Sequence, residues 1–189
     1  MSRTAVDEPE PAVIDALDMR RAMGLFASGV TIVTGMDDED PVGFACQSFA
    51  SVSLDPPLVL ICADHRGRSW PRIRTSGRFT INVLGEDQRD LCNRFGSASG
   101  TRFTELAWDR SRWNTPSLPG VLLRIHAAVD DVRPAGDHDV IIGRVLELES
   151  LRSCRPLLFY RGLFELPGSS SPASPQAWDG DWGWGSRWG

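Results

Sequence analysis

What most limits the fold of this chain is a change of period at Val30, where helical spacing gives way to strand spacing that lasts nearly to the end. VTIVTGM (30–36) is rich in β-branched residues, FACQSFASVSL (44–54) alternates, and LVLICA (58–63) and RFTINVL (78–84) read as buried strands. VLLRIHAAVDDVR (121–133) and DVIIGRVLELES (139–150) are long strands joined by Pro134–His138, and PLLFYRGLFEL (156–166) is the last. DDEDPVG (37–43) is an acidic turn, and residues 96–120 are irregular. Helical spacing surfaces three times: in MRRAMGLFASG, with Asp18 as N-cap and Gly29 as stop, around Ser69–Arg74, and over Glu86–Phe95. Seven or eight strands, short helices and no regular βαβ alternation predict a mainly-β, antiparallel barrel rather than a doubly wound sheet.

The 189 residues suit one ordinary domain with a core of its own. Residues 1–16 carry two prolines and four acids and read as a disordered lead-in; the folded unit is 17–166. Residues 167–189 are rich in Gly, Ser and Pro and read as a flexible tail. Four of the seven tryptophans lie there, and docking of that tail onto the domain or a partner is the other reading. A net charge of −5 gives no footprint for nucleic acid. No apolar run is long enough to span a membrane and the start lacks a signal-peptide core, so a cytoplasmic protein is expected. Cys46, Cys62, Cys92 and Cys154 are far apart and read as free thiols, and neither they nor the three histidines have metal-site spacing.

There is no Gly-rich dinucleotide fingerprint, no P-loop and no hydrolytic triad, so chemistry supplied by a cofactor suits the chain best. Three segments are unusual for plain scaffold. Gln47-Ser48-Phe49-Ala50-Ser51-Val52-Ser53 offers neutral donors that cradle a phosphate, or the polar face of an edge strand. Ala63-Asp64-His65-Arg66-Gly67-Arg68-Ser69 opens a helix with Ser69 as N-cap and reads as an anion site or a solvated basic loop. Gly136-Asp137-His138 is an ordinary turn, or a histidine held over a pocket.

Together these segments resemble the flavin reductase family that supplies two-component monooxygenases. The likeness runs from about Met19 to Phe164 and rests on Arg21, Phe26-Ala27-Ser28-Gly29-Val30-Thr31, GFACQSFASVSLDPPLVL and SGRFTINVL. It continues through the Gln88–Phe95 helix, Phe103, LPG, GDHDVIIG and PLLFYRG. The resemblance implies a split antiparallel β-barrel, a homodimer, and hydride transfer from NADH (or NADPH) to FAD or FMN for a partner monooxygenase.

By the same resemblance, Gln47, Ser48, Phe49, Ser51, Val52 and Ser53 form the flavin wall. Ala63, Asp64, Arg68 and Ser69 complete the phosphate or adenylate side, with Asn82 and Phe103 as further flavin contacts. His138, Tyr160 and Arg161 fall on the nicotinamide side, His138 orienting that ring without an assigned proton. Ala45 stands where the family commonly has Thr, and Gln47 where Asn is usual. The rival readings are a split-barrel flavoenzyme that retains its flavin and a non-catalytic flavin-binding protein.

Overall fold

A computed structural model describes residues 12–97 and 102–164. The expected tail and most of the expected lead-in lie outside the described residues. Chain order is α1 (Ala16–Met23), β1 (Ser28–Gly29), β2 (Thr31–Asp37), β3 (Asp40–Cys46), β4 (Ala50–Leu54), β5 (Pro57–Asp64), α2 (Ser69–Ser76) and β6 (Arg78–Val83). Then come α3 (Arg89–Gly96), β7 (Asp109–Arg110), β8 (Pro116–Ser117), β9 (Leu123–Ala135), β10 (His138–Ser150) and β11 (Leu158–Phe159).

Seven strands form one antiparallel sheet in the order β3-β2-β6-β9-β10-β5-β4. This is the mainly-β, antiparallel fold with few short helices that the periodicity predicts. Strand pairing leaves the sheet open, with β3 and β4 at its edges, and a side chain ties the end of β3 across to β5. Ser48, just past β3, accepts from the Cys62 N–H of β5 at 2.8 Å and donates to the Cys62 carbonyl at 3.3 Å. One hydroxyl thereby stands in for a rung of the ladder.

β2 is buried along nearly its whole length because both its faces are covered. Val33 joins an inner core with Phe44, Ile61, Phe79, Ile125 and Ile141. Ile32, pointing the other way, joins a second core with Leu84, Phe95, Leu118 and Leu157. A Cβ on Gly43 would lie 2.8 Å from the Phe95 ring and 2.9 Å from the Val33 carbonyl, so β3 meets α3 closely only because that position lacks a side chain.

Several expected boundaries move. α1 begins three residues early because Asp15, not Asp18, is its N-cap, accepting from the Leu17 and Asp18 N–H groups at 2.8 Å. It ends at Gly24, and Gly29 lies in a strand. Residues 44–54 are two strands, not one, since the chain leaves β3 at Gln47 to make the Ser48 bridge. The β9–β10 connection is shorter than Pro134–His138: Ala135 already pairs with His138, leaving a two-residue loop with Gly136 at φ 64°. Of the described residues 156–164, Leu158–Phe159 is strand, paired with β1.

The interior also holds polar networks that spacing gave no sign of. His126 is fully buried; its Nε2 donates to Glu149 Oε1 at 2.9 Å and its Nδ1 lies 2.9 Å from Thr80 Oγ1. Donor atoms of His126, Glu147 and Glu149 lie within 4.8 Å of one another, and the two carboxylates bind Arg112 and Trp113 (Glu147) and Arg124 (Glu149). Burial works against the Glu149 carboxylate, but hydrogen bonds from His126 and Arg124 outweigh it and hold its pKa below the ordinary value near 4.5. A depressed pKa stabilises the fold above that value, and the contribution fades as pH falls through the folded-state pKa. Glu149→Gln should therefore lower Tm at neutral pH, and the gap from the parent protein should close as pH falls through and below the ordinary carboxylate range. Thermal melts across that range test this; a gap of constant size would contradict it.

Candidate functional site

A cavity of about 380 Å³ opens where α1, the end of β3, the middle of β5 and the β9–β10 tip converge. Its size falls within the range of small-molecule sites. Met19, Met23, Ala45, Val140 and Phe159 supply apolar wall, while Gln47, Ser48, Cys46 and Cys62 line the open seam. At the mouth stand Arg20 from α1 and the pair Asp137–His138 from the hairpin tip.

Local sequence explains these positions. The tight turn at Gly136 starts β10 at His138, which pairs on one side with Ala135 and on the other with Asp64. His138 Nδ1 donates to Asp137 Oδ1 at 2.7 Å, and this bond holds the Asp137 carboxyl below the usual carboxylate range. Behind the tip, Asp139 accepts from His65 Nε2 at 3.0 Å and Trp70 Nε1 at 3.2 Å, fixing β10 against β5 and α2. Gln47 is reached by the Ser28 hydroxyl of β1, which donates to its Oε1 at 3.4 Å. Burial raises the Cys46 thiol pKa, so that wall is neutral.

The arrangement suits a flat, largely apolar ligand bordered by a few neutral donors, with a histidine and an arginine at the entrance. Residues 23–166 match the flavin reductase like domain family. The chain belongs to the flavin reductase family. It is 48% identical, over 80% of its own length and 77% of the relative's, to the reductase subunit HsaB of a flavin-dependent monooxygenase from Rhodococcus jostii. The structure of nitrilotriacetate monooxygenase component B from Mycobacterium thermoresistibile superposes with TM-score 0.76 at 45% identity, covering 84% of this chain and 91% of that one. The Streptomyces globisporus NADH:FAD oxidoreductase SgcE6, in complex with NAD and FAD fragments, gives 0.77 at 28% identity, covering 86% and 100%. This reductase is thus an NAD(P)H-dependent flavin oxidoreductase, and its fold matches reductases of split-barrel type.

Of the residues carried over by resemblance, the reductase brings Gln47, Ser48 and His138 to the cavity. Others stand elsewhere. Phe49 packs on the inner core. Ser51 and Val52 are exposed on edge strand β4 with Ser53 half-buried beside them. Ala63 is buried, and Asp64, also buried, accepts from the Arg66 backbone N–H and guanidinium at 2.8 Å. Arg68, rather than Ser69, occupies the N-cap of α2 and makes no capping bond; the Ser69 hydroxyl instead donates to the Gly43 carbonyl at 3.0 Å.

Asn82 is wholly buried and spends its amide inside the sheet. It donates to the Ile32 carbonyl at 3.0 Å and Thr34 Oγ1 at 3.1 Å, and accepts from the Leu118 N–H at 3.1 Å. Phe103 makes edge contacts with Phe95 and Trp108 in the second core. Tyr160 and Arg161 form a turn beyond β11, where the Arg161 N–H donates to the Gly24 carbonyl at 2.9 Å, close to the α1 wall but outside the cavity lining.

Sequence reasoning missed α1 as a wall of the site. The signal was present in the helix itself, where Met19 and Met23 recur one turn apart with no packing partner assigned to them.

Proposed function

We propose that this reductase binds FAD or FMN in the cavity beside Gln47 and Ser48, takes hydride from NADH, and passes the reduced flavin to a separate monooxygenase. The observation that carries the reading is the cavity itself, apolar along its walls and polar only at the seam and mouth. Such a lining holds an aromatic ring system by apolar contact and neutral donors, with charge confined to Arg20 and Asp137. A bound flavin supplies the hydride acceptor. The protein's part is positioning, exclusion of water and orientation of the nicotinamide.

His138 has a defined part in that positioning. With Nδ1–H committed to Asp137, the neutral ring offers Nε2 as an acceptor, and the nicotinamide carboxamide carries a matching N–H₂ donor. Gln47 has its amide N–H groups available for the flavin, since Ser28 engages only its carbonyl oxygen. Ser48 sets the shape of the seam with its hydroxyl and leaves the ligand its neighbouring backbone.

A homodimer completes the site. None of the eight residues of α1 is buried, although Leu17, Met19 and Met23 lie on it and Ile14, Leu25 and Phe26 flank it, all of them exposed. A two-turn helix is not stable on propensity alone, so a second copy covering this face accounts for both its apolar surface and its persistence. Light scattering at micromolar concentration should give twice the 20.8 kDa of the chain. A fully active monomer would refute this arrangement. The four free cysteines fit a reducing cytoplasm; no described helix is long and apolar enough to cross a membrane.

The test of function is NADH consumption with FAD, FMN or riboflavin added in turn. Turnover should track added free flavin; a purified protein that retains its flavin and turns over without addition would favour the resident-flavin enzyme instead.

A further inference from the structure

α1 is built the wrong way round for an ordinary surface helix. Seven of its eight residues are exposed, apolar ones among them, and the single half-buried residue is Arg20. Ala16, Met19, Arg20 and Met23 share one face at helical spacing, and that face lines the cavity. The helix therefore sets an arginine at the cavity mouth beside apolar wall.

No described residue forms a hydrogen bond or ion pair with the Arg20 guanidinium. Its neighbour Arg21, fully on the outer side, lies 3.9 Å from Asp18. Asp137, the acid that also lines the cavity, is bonded to His138 instead. Arg20 can lay its stem along the apolar wall while its guanidinium, unpaired within the described residues, faces the cavity and is free to meet an anion there. Its planar fork matches phosphate oxygens in two-point geometry.

We propose that Arg20 is the anion-recognising residue of this cavity, binding a phosphate group carried by the flavin or by the nicotinamide dinucleotide. The inference rests on the flavin-and-nicotinamide reading of the cavity given above and adds to it a residue for which the resemblance assigned no role. Charge-assisted recognition by one fork makes Arg20 a determinant of which ligands the cavity prefers, since riboflavin offers it no phosphate.

Equilibrium binding and kinetics test it together, using the full chain, Arg20→Gln and Arg20→Lys. Quenching of flavin fluorescence gives Kd for FMN and for riboflavin, and steady-state assays give KM for NADH with riboflavin as acceptor. Arg20→Gln should weaken one phosphate-bearing ligand roughly 10-fold, with partial recovery in Arg20→Lys and a smaller effect at high salt. Weaker FMN with unchanged riboflavin assigns Arg20 to the flavin phosphate. Unchanged flavins with a raised KM for NADH assign it to the dinucleotide. Changes below about 2-fold throughout, or an equal loss for FMN, riboflavin and NADH, would overturn the proposal, the second because it marks a displaced helix. Failure of the functional reading itself is separate: the parent chain would then show no flavin-dependent oxidation of NADH.

Discussion

Asn82→Ala should destabilise this reductase by about 2–4 kcal/mol while leaving the flavin affinity of the folded molecules unchanged. The amide joins β6 to β2 through the Ile32 carbonyl and Thr34 hydroxyl, and to the 118 loop through the Leu118 N–H. Truncation removes the acceptor of the buried Leu118 N–H and the donor to the Ile32 carbonyl and Thr34 hydroxyl at once. For a chain of this size the loss corresponds to a fall in Tm on the order of 5–15 °C. The family resemblance assigns Asn82 to the flavin, so the variant separates two accounts. A marked Tm loss with intact flavin Kd supports the structural one. An unchanged Tm with weakened flavin would place the amide against the ligand.

His138→Ala carries the second large effect, and it should appear in kinetics rather than stability. The side chain is 27% exposed at a hairpin tip and bonds only to its exposed neighbour Asp137, so folding should change by no more than about 0.5 kcal/mol. Loss of one hydrogen bond to the nicotinamide is worth on the order of 1–2 kcal/mol, or a roughly 5- to 30-fold fall in kcat/KM for NADH. Flavin dependence should stay close to that of the parent protein. Equal NADH efficiency in the two proteins would return His138 to the turn, and a joint loss of flavin affinity would move it to the flavin side.

How far the sequence discloses such a molecule depends on whether local pattern or distant contact decides each element. β2, β5, β6, β9 and β10 are legible because their burial repeats along the strand itself, as in the unbroken run around Ile32 and Val33. The break at Gln47–Phe49 is not legible, because its cause is Ser48 bonding to Cys62, fourteen residues on. The start of α1 is illegible for a local reason: Asp15 and Asp18 are equally good caps by residue type, and only the bonds from the Leu17 and Asp18 N–H groups to Asp15 choose between them.

Gln47, Ser48 and His138, which line the cavity, stand out in the sequence because each sits where a strand ends, the place where polar residues escape the core. Asn82 and Phe103 come from within or beside the packed interior, where the same residue types serve folding. Arg20 escaped notice because nothing in MRRAMG separates the inward arginine from the outward one; only the helix phase set by Asp15 does.

The most direct measurement is anaerobic mixing of the purified reductase with NADH and stoichiometric FAD or FMN. The account predicts bleaching of the flavin band in step with loss of the nicotinamide absorbance, one flavin per NADH, with the reduced flavin passing through a filter that retains the protein. NADH loss without added flavin, or no bleaching with either flavin, would contradict it.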